Sequence, residues 1–103
     1  MPTTDLTIES FEPAIETDGI LLVDFWAAWC GPCRSMAPHF ARAAAELQGR
    51  VLLAKVDSDA SPLASQRSAI RNIPTLVLFR GGREVKRQAG AIPAQQIVAF
   101  ATT

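Results

Sequence analysis

Apolar residues along the chain fall into three short, near-continuous runs, at Ile20–Trp26, Val51–Val56 and Thr75–Phe79. Runs of this length with little polar alternation predict central strands covered on both faces. Between the first two runs the spacing changes. Met36, Phe40, Ala43, Ala44 and Leu47 recur at the interval of one helix face, which predicts an amphipathic helix over Arg34–Leu47 that Gly49 stops. Pro38 should kink that helix, since it removes a hydrogen bond and crowds the preceding turn.

Shorter signals complete the order. Ser10 is the expected cap of a first helix over Phe11–Thr17, with Pro13 in the first turn and Asp18-Gly19 at its end. Asp57-Ser58-Asp59 reads as a loop, and Pro62 as the start of a short helix to about Ala69. Gly81-Gly82 predicts a hairpin into a more polar edge strand, Glu84–Ala89. A last helix is expected over Pro93–Ala101, with Ile92 as a poor cap. A further short strand is expected near Leu6. The outcome is an α/β class chain, a mixed four- to five-stranded sheet flanked by helices on both faces, in one domain over 1–103.

Composition narrows the function classes. The chain has 103 residues, 49% of them hydrophobic, with ten acidic and ten basic residues and a formal charge of zero. No basic face is suggested, so neither nucleic acid nor an anionic membrane is an expected partner. Two cysteines are too few to staple a secreted fold. Met1-Pro2-Thr3-Thr4-Asp5 lacks the stretches of a signal peptide, and no apolar run is long enough to span a bilayer. A cytoplasmic monomer is the expectation.

Both cysteines lie in Trp29-Cys30-Gly31-Pro32-Cys33, between the first strand run and the long helix. One helical turn separates the two thiols, a distance a disulfide can close. Cys30 falls at the helix start, where unpaired N–H groups and the positive dipole end favour a thiolate. A thiolate attacks disulfides, so the motif reads as redox chemistry, with Cys30 as nucleophile and Cys33 resolving the mixed disulfide. Pro32 stiffens the turn, and Gly31 lets another backbone approach. The competing readings are a structural disulfide and half a zinc site. Zinc needs four ligands, and beyond the thiols only His39 and carboxylates are on offer. No metal is expected, and His39 reads as a surface residue without a role. Asp24, inside an apolar strand, should have a raised pKa, unless it faces solvent at a strand edge. Lys55 is either a tuning charge near Asp24 or a solvated strand-end lysine.

Several separated pieces then point the same way: Val23-Asp24-Phe25-Trp26-Ala27, Trp29–Cys33, Met36-Ala37-Pro38, Ala54-Lys55-Val56-Asp57, Ile73-Pro74-Thr75 and Gly90-Ala91. In this order, from about Leu6 to Phe100, the chain resembles thioredoxins. Its middle and C-terminal wording looks like the bacterial subgroup with a zinc-binding N-terminal extension, although that extension's cysteines are missing. The resemblance implies that Asp24 lies under the cysteine pair and exchanges a proton with Cys33, and that Lys55 tunes it. It implies a cis Ile73–Pro74 bond facing the disulfide, with Ile73 backbone groups pairing with an extended client segment. Trp29, Gly90 and Ala91 would form an apolar docking patch around Cys30. Three departures stand out: Ser68-Ala69 replaces an aromatic-Gly pair, Asn72 a small residue, and Pro93 a frequent capping Ser.

The resemblance further implies a reductant of protein disulfides, re-reduced by a flavoprotein reductase that draws on NADPH. The chain itself binds no nucleotide, because no glycine-rich phosphate loop follows any strand. Gly31-Pro32 places no strong cation inside the loop, and Arg34 with the helix dipole should lower the Cys30 pKa only moderately, which suits a reductant. The rival class is a binding module with incidental thiols. A buried acid beneath a dithiol argues against it.

Overall fold

The computed structural model describes residues 3–16 and 18–103. Its elements run β1 (Thr3–Leu6), α1 (Ile8–Ile15), β2 (Ile20–Trp26), α2 (Gly31–Leu47), β3 (Leu52–Asp57), α3 (Pro62–Arg67), β4 (Thr75–Arg80), β5 (Arg83–Ala89) and α4 (Ala94–Thr102). The strands form one mixed sheet in the order β1-β3-β2-β4-β5. β3 runs parallel to β1 and β2, while β4 is antiparallel to β2 and β5.

Strand alternation sorts the core into two layers. Leu22, Leu53, Leu76 and Leu78 pack on one face with Met36, Phe40, Ala43, Ala44 and Leu47 of α2 and with Ile97 and Ala101 of α4. Leu21, Val23, Phe25, Val56, Val77 and Phe79 pack on the other face with Phe11 and Ile15 of α1 and Ala64 of α3. Phe11 meets Phe25 and Phe79 edge to face, with ring centroids 5.8 and 6.3 Å apart. By the same period-two rule, Asp24 and Lys55 belong to the α2 side. That placement decides the chemistry below.

The expected strand near Leu6 is present as β1, an edge strand. The first helix begins earlier than its expected Phe11 start. Thr7 is the N-cap, and its N–H donates to Ser10 Oγ at 2.9 Å, so Ser10 closes the first turn from inside rather than capping it. Pro13 therefore sits in the second turn, and Thr17 lies outside the described residues. α2 is continuous through Pro38. At Gly81 and Gly82, φ is 59° and 84°, the pairing a tight hairpin needs. β5 carries a bulge opposite Leu78/Phe79, as edge strands often do.

α4 departs most from expectation. Its N-cap is Pro93, not Ile92, and Pro93 offers no side-chain acceptor. His39 of α2 supplies one from outside: its Nδ1 accepts the Ala94 N–H at 3.2 Å. The residue read as a bystander thus caps a neighbouring helix and ties α2 to α4. Replacing His39 with Phe should fill the space but orphan the Ala94 N–H, lowering stability by about 1 kcal/mol in urea unfolding. His39→Asn, whose amide oxygen can reach the same N–H, should retain most of it. Equal stabilities for the two variants would contradict the cap.

Candidate redox site

Cys30 is the N-cap of α2, with Gly31 and Pro32 in the first turn. The missing N–H of Pro32 removes a donor that has no helical partner there. Cys33 follows one turn on, with Cα atoms 5.2 Å apart, and the two sulfurs are joined as a disulfide. The Cys33 N–H donates to Cys30 Sγ at 3.2 Å. Sulfur here occupies the place of a capping oxygen, so the hydrogen bond and the helix end both favour negative charge on Cys30 once the disulfide is opened. Exposure does not separate the two cysteines, at 4% and 3%; position on the helix does.

Asp24 is 1% exposed and pairs in register with Lys55 on β3 and Leu76 on β4. It therefore does not face solvent at a strand edge. Burial pushes its carboxyl up to about 7 from an ordinary 3.8, and the positive charge of Lys55 pulls partly back. Desolvation outweighs that attraction; the Lys55 ammonium also lies 4.8 Å from the centre of the Trp26 ring. Asp24 Oδ1 and Trp26 Nε1 are buried without a hydrogen-bond partner among the described residues. An unsatisfied carboxyl oxygen is better tolerated when the group is protonated, which agrees with the raised pKa.

The chain brings the loop before β4 to the cysteines. Ile73–Pro74 is cis, and the Ile73 carbonyl oxygen lies 3.8 Å from Cys30 Sγ. Cys30 and Cys33 pack with Ala27, Trp26 and Ile73 in one small cluster. The Gly90 N–H donates to the Pro74 carbonyl at 2.8 Å, which draws the Gly90-Ala91 segment alongside. Trp29 is 68% exposed beside Cys30. Trp29 and Ala91 are not in one pocket: Trp29 lines a cleft with Ile73, and Ala91 one with Met36 and His39. A Cβ built on Gly31 meets only Arg34 Nη2 at 4.0 Å, so the chain's own packing does not demand glycine there.

Of two further contributors, Arg34 was expected beside Cys30 and Arg87 escaped the residue-by-residue reading. Arg34 Nη1 donates to the Ala28 carbonyl at 2.8 Å, holding its charge beside the motif's first turn. Arg87 Nη2 and Nη1 donate to the Ser68 and Ala69 carbonyls at 2.8 and 3.3 Å. They steady a loop in which Ala69 has a φ of 53°, a region that costs a side-chain-bearing residue roughly 1–2 kcal/mol. The sequence signal for Arg87 was Ala69 in place of a glycine, and for the His39 cap it was Pro93 in place of a capping residue. Each marks a spot needing outside support, but sequence spacing does not say from where.

Among the described residues, no group of three or more His, Cys, Asp or Glu side chains converges as a metal site, and no helix is long and apolar enough to cross a membrane. The thioredoxin family profile matches residues 2–103. The chain is 46% identical to a thioredoxin from Alicyclobacillus acidocaldarius, over 94% of this chain and 92% of that protein. It is 43% identical to a thioredoxin from Allochromatium vinosum, over 92% and 90%. With thioredoxin 1 of Chlorobaculum tepidum the identity is 47%, over 75% and 76%. A dithiol at a helix N-terminus, within a sheet and helices of this order, and matches of that extent place the chain in the thioredoxin family of thiol–disulfide oxidoreductases.

Proposed function

We propose that the chain works as a cytoplasmic, monomeric reductant of disulfides in client proteins, with 1–103 acting as one domain. The observation that carries this reading is the buried carboxyl of Asp24, 1% exposed and with Oδ1 unpartnered among the described residues, on the sheet face covered by the helix that starts at the cysteine pair. A disulfide kept only for stability has no use for a costly acid there, whereas a resolving thiol needs a base near neutral pH.

In the reduced protein, Cys30 as thiolate attacks one sulfur of the client disulfide. Its electron pair forms the new S–S bond, and the other client sulfur leaves as a thiolate and takes a proton. Ionised Asp24 accepts the Cys33 proton. The Cys33 thiolate then attacks Cys30 Sγ, closing the intramolecular disulfide and releasing the second client sulfur as a thiolate, which takes up the proton that Asp24 received from Cys33. Two electrons have passed to the client, and its two sulfurs gain one proton from Cys33 by way of Asp24 and one from solvent, which balances the earlier ionisation of Cys30. Ile73 and Pro74, with Trp29, Gly31, Pro32, Gly90 and Ala91, form the surface on which the client strand lies, and Lys55 limits how far the Asp24 pKa rises. Electrons return through a flavoprotein reductase fed by NADPH. Support for a reductant, rather than an oxidant, comes from the Gly31-Pro32 loop, which adds no cation beside Cys30.

Cys33→Ser should permit the first attack and stall at the mixed disulfide, so that client proteins become trapped on Cys30. Non-reducing gels followed by mass mapping read this directly. Adducts obtained with Cys30→Ser instead would reverse the two roles.

Asp24→Asn should slow resolution at pH 7 by at least roughly tenfold, with the deficit shrinking as alkali ionises Cys33 unaided. Stopped-flow fluorescence measures it; an unchanged resolution rate would remove Asp24 from proton transfer. Stability supplies an independent check on the oxidised protein. Folding raises the Asp24 pKa, so this group's contribution is fully present below about pH 4 and is lost as pH rises towards 7. The Asn variant lacks that loss. It should gain on the wild type between pH 4 and 7, by on the order of 4 kcal/mol at the limit. Parallel stability curves would show Asp24 to be solvated.

A further inference from the structure

We propose that a cleft beside the dithiol seats a carboxylate, so that the preferred client disulfides have Asp or Glu next to the attacked cysteine. This rests on the disulfide-reductant reading above and names its substrate class. The cleft has a volume of about 230 Å³ and is lined by Trp29, Ser58, Ser65, Arg71, Asn72 and Ile73, among others. Trp29 is the chain neighbour of Cys30, and the Ile73 carbonyl lies 3.8 Å from Cys30 Sγ. A residue flanking the attacked cysteine of a bound strand therefore has this cleft within side-chain reach.

Its polar groups are mainly donors looking for an acceptor. Ser65 Oγ donates to Ser58 Oγ at 2.9 Å, which leaves the Ser58 hydroxyl proton for another partner. The Asn72 carbonyl receives the Thr75 hydroxyl, but the Asn72 carboxamide has no partner among the described residues. Arg71 is exposed and in no ion pair there. Arg34, anchored on the Ala28 carbonyl, is likewise in no ion pair among the described residues but is not part of the lining.

No acidic side chain lines the cleft. Asp57 is occupied by the N–H groups of Asp59 and Ala60 at 3.0 and 3.3 Å, and Asp59, although next to Ser58 in the chain, is not part of the lining. Arg71 is the one charged side chain in the lining. A hydroxyl, a carboxamide and a guanidinium around one apolar wall match an acceptor-only group carrying negative charge. A client lysine would meet repulsion instead.

The test uses the pre-reduced, full-length protein and three synthetic peptides, each with one intramolecular disulfide and differing only in the residue beside one cysteine: Asp, Asn or Lys. The Asp peptide should be reduced roughly threefold to tenfold faster than its Asn isostere, and the Lys peptide slowest, as expected for a partly exposed charged contact. Added salt should compress the Asp-to-Asn ratio. Arg71→Gln should bring that ratio close to one, and Ser58→Ala, which changes no charge, should lower it in part. Equal rates for the Asp and Asn peptides would overturn the proposal. So would an Asp preference that survives both substitutions, or one that responds to Arg71→Gln but not to Ser58→Ala, since the charge would then act without a seat. Even reduction of all three peptides refutes the cleft alone, whereas failure to reduce any of them refutes the reductant reading.

Discussion

A carboxylate moved from water into an apolar sheet loses its hydration, and Asp24 suffers this loss in the row that also holds Leu22, on the face that α2 covers. Its neighbour in register on β4 is Leu76, and on β3 it is Lys55, whose ammonium turns to the Trp26 ring. With no full counter-charge, the group settles for a pKa of about 7, where it can hold or release a proton at neutral pH. A leucine in its place would pack better. The fold tolerates the acid because the surrounding core is large: two apolar layers, one on each side of five strands.

The helix start adds the second half of the chemistry. Cys30 takes the N-cap position, and the Cys33 N–H already points at its sulfur, so a thiolate would form in a place prepared for negative charge. Cys33 has no such advantage and depends on a base. The asymmetry between two cysteines of nearly equal burial thus comes from one turn of helix and one buried carboxyl, and it assigns nucleophile and resolver without reference to exposure.

Much of this was legible in the sequence because it rests on local rules. The runs Ile20–Trp26 and Thr75–Phe79 marked central strands, the Met36-to-Leu47 stripe marked the long helix, and Gly81-Gly82 marked the hairpin. Asp24 drew notice because a charge among apolar neighbours has few explanations. Element ends were harder to read. Thr7 and Ser10 are both good capping residues, and only the three-dimensional turn decides that Thr7 is the cap and Ser10 its reciprocal partner. Contacts between distant residues left almost no trace: His39 with Ala94, and Arg87 with Ser68 and Ala69, are 55, 19 and 18 positions apart. No periodicity connects such pairs. They follow from how α2 meets α4 and how β5 passes the loop before β4.

Resolution of the mixed disulfide depends on the charge state of one group, the Asp24 carboxyl. A carbon-13 NMR titration of the Asp24 side-chain carboxyl in the oxidised protein reads it without mutation or kinetics. A midpoint near 7 is the expected result, well above the 3.8 of an ordinary aspartate. A midpoint close to 4 would mean that Asp24 is fully ionised at neutral pH and solvated or well paired. It would then lose its standing as a proton carrier for Cys33.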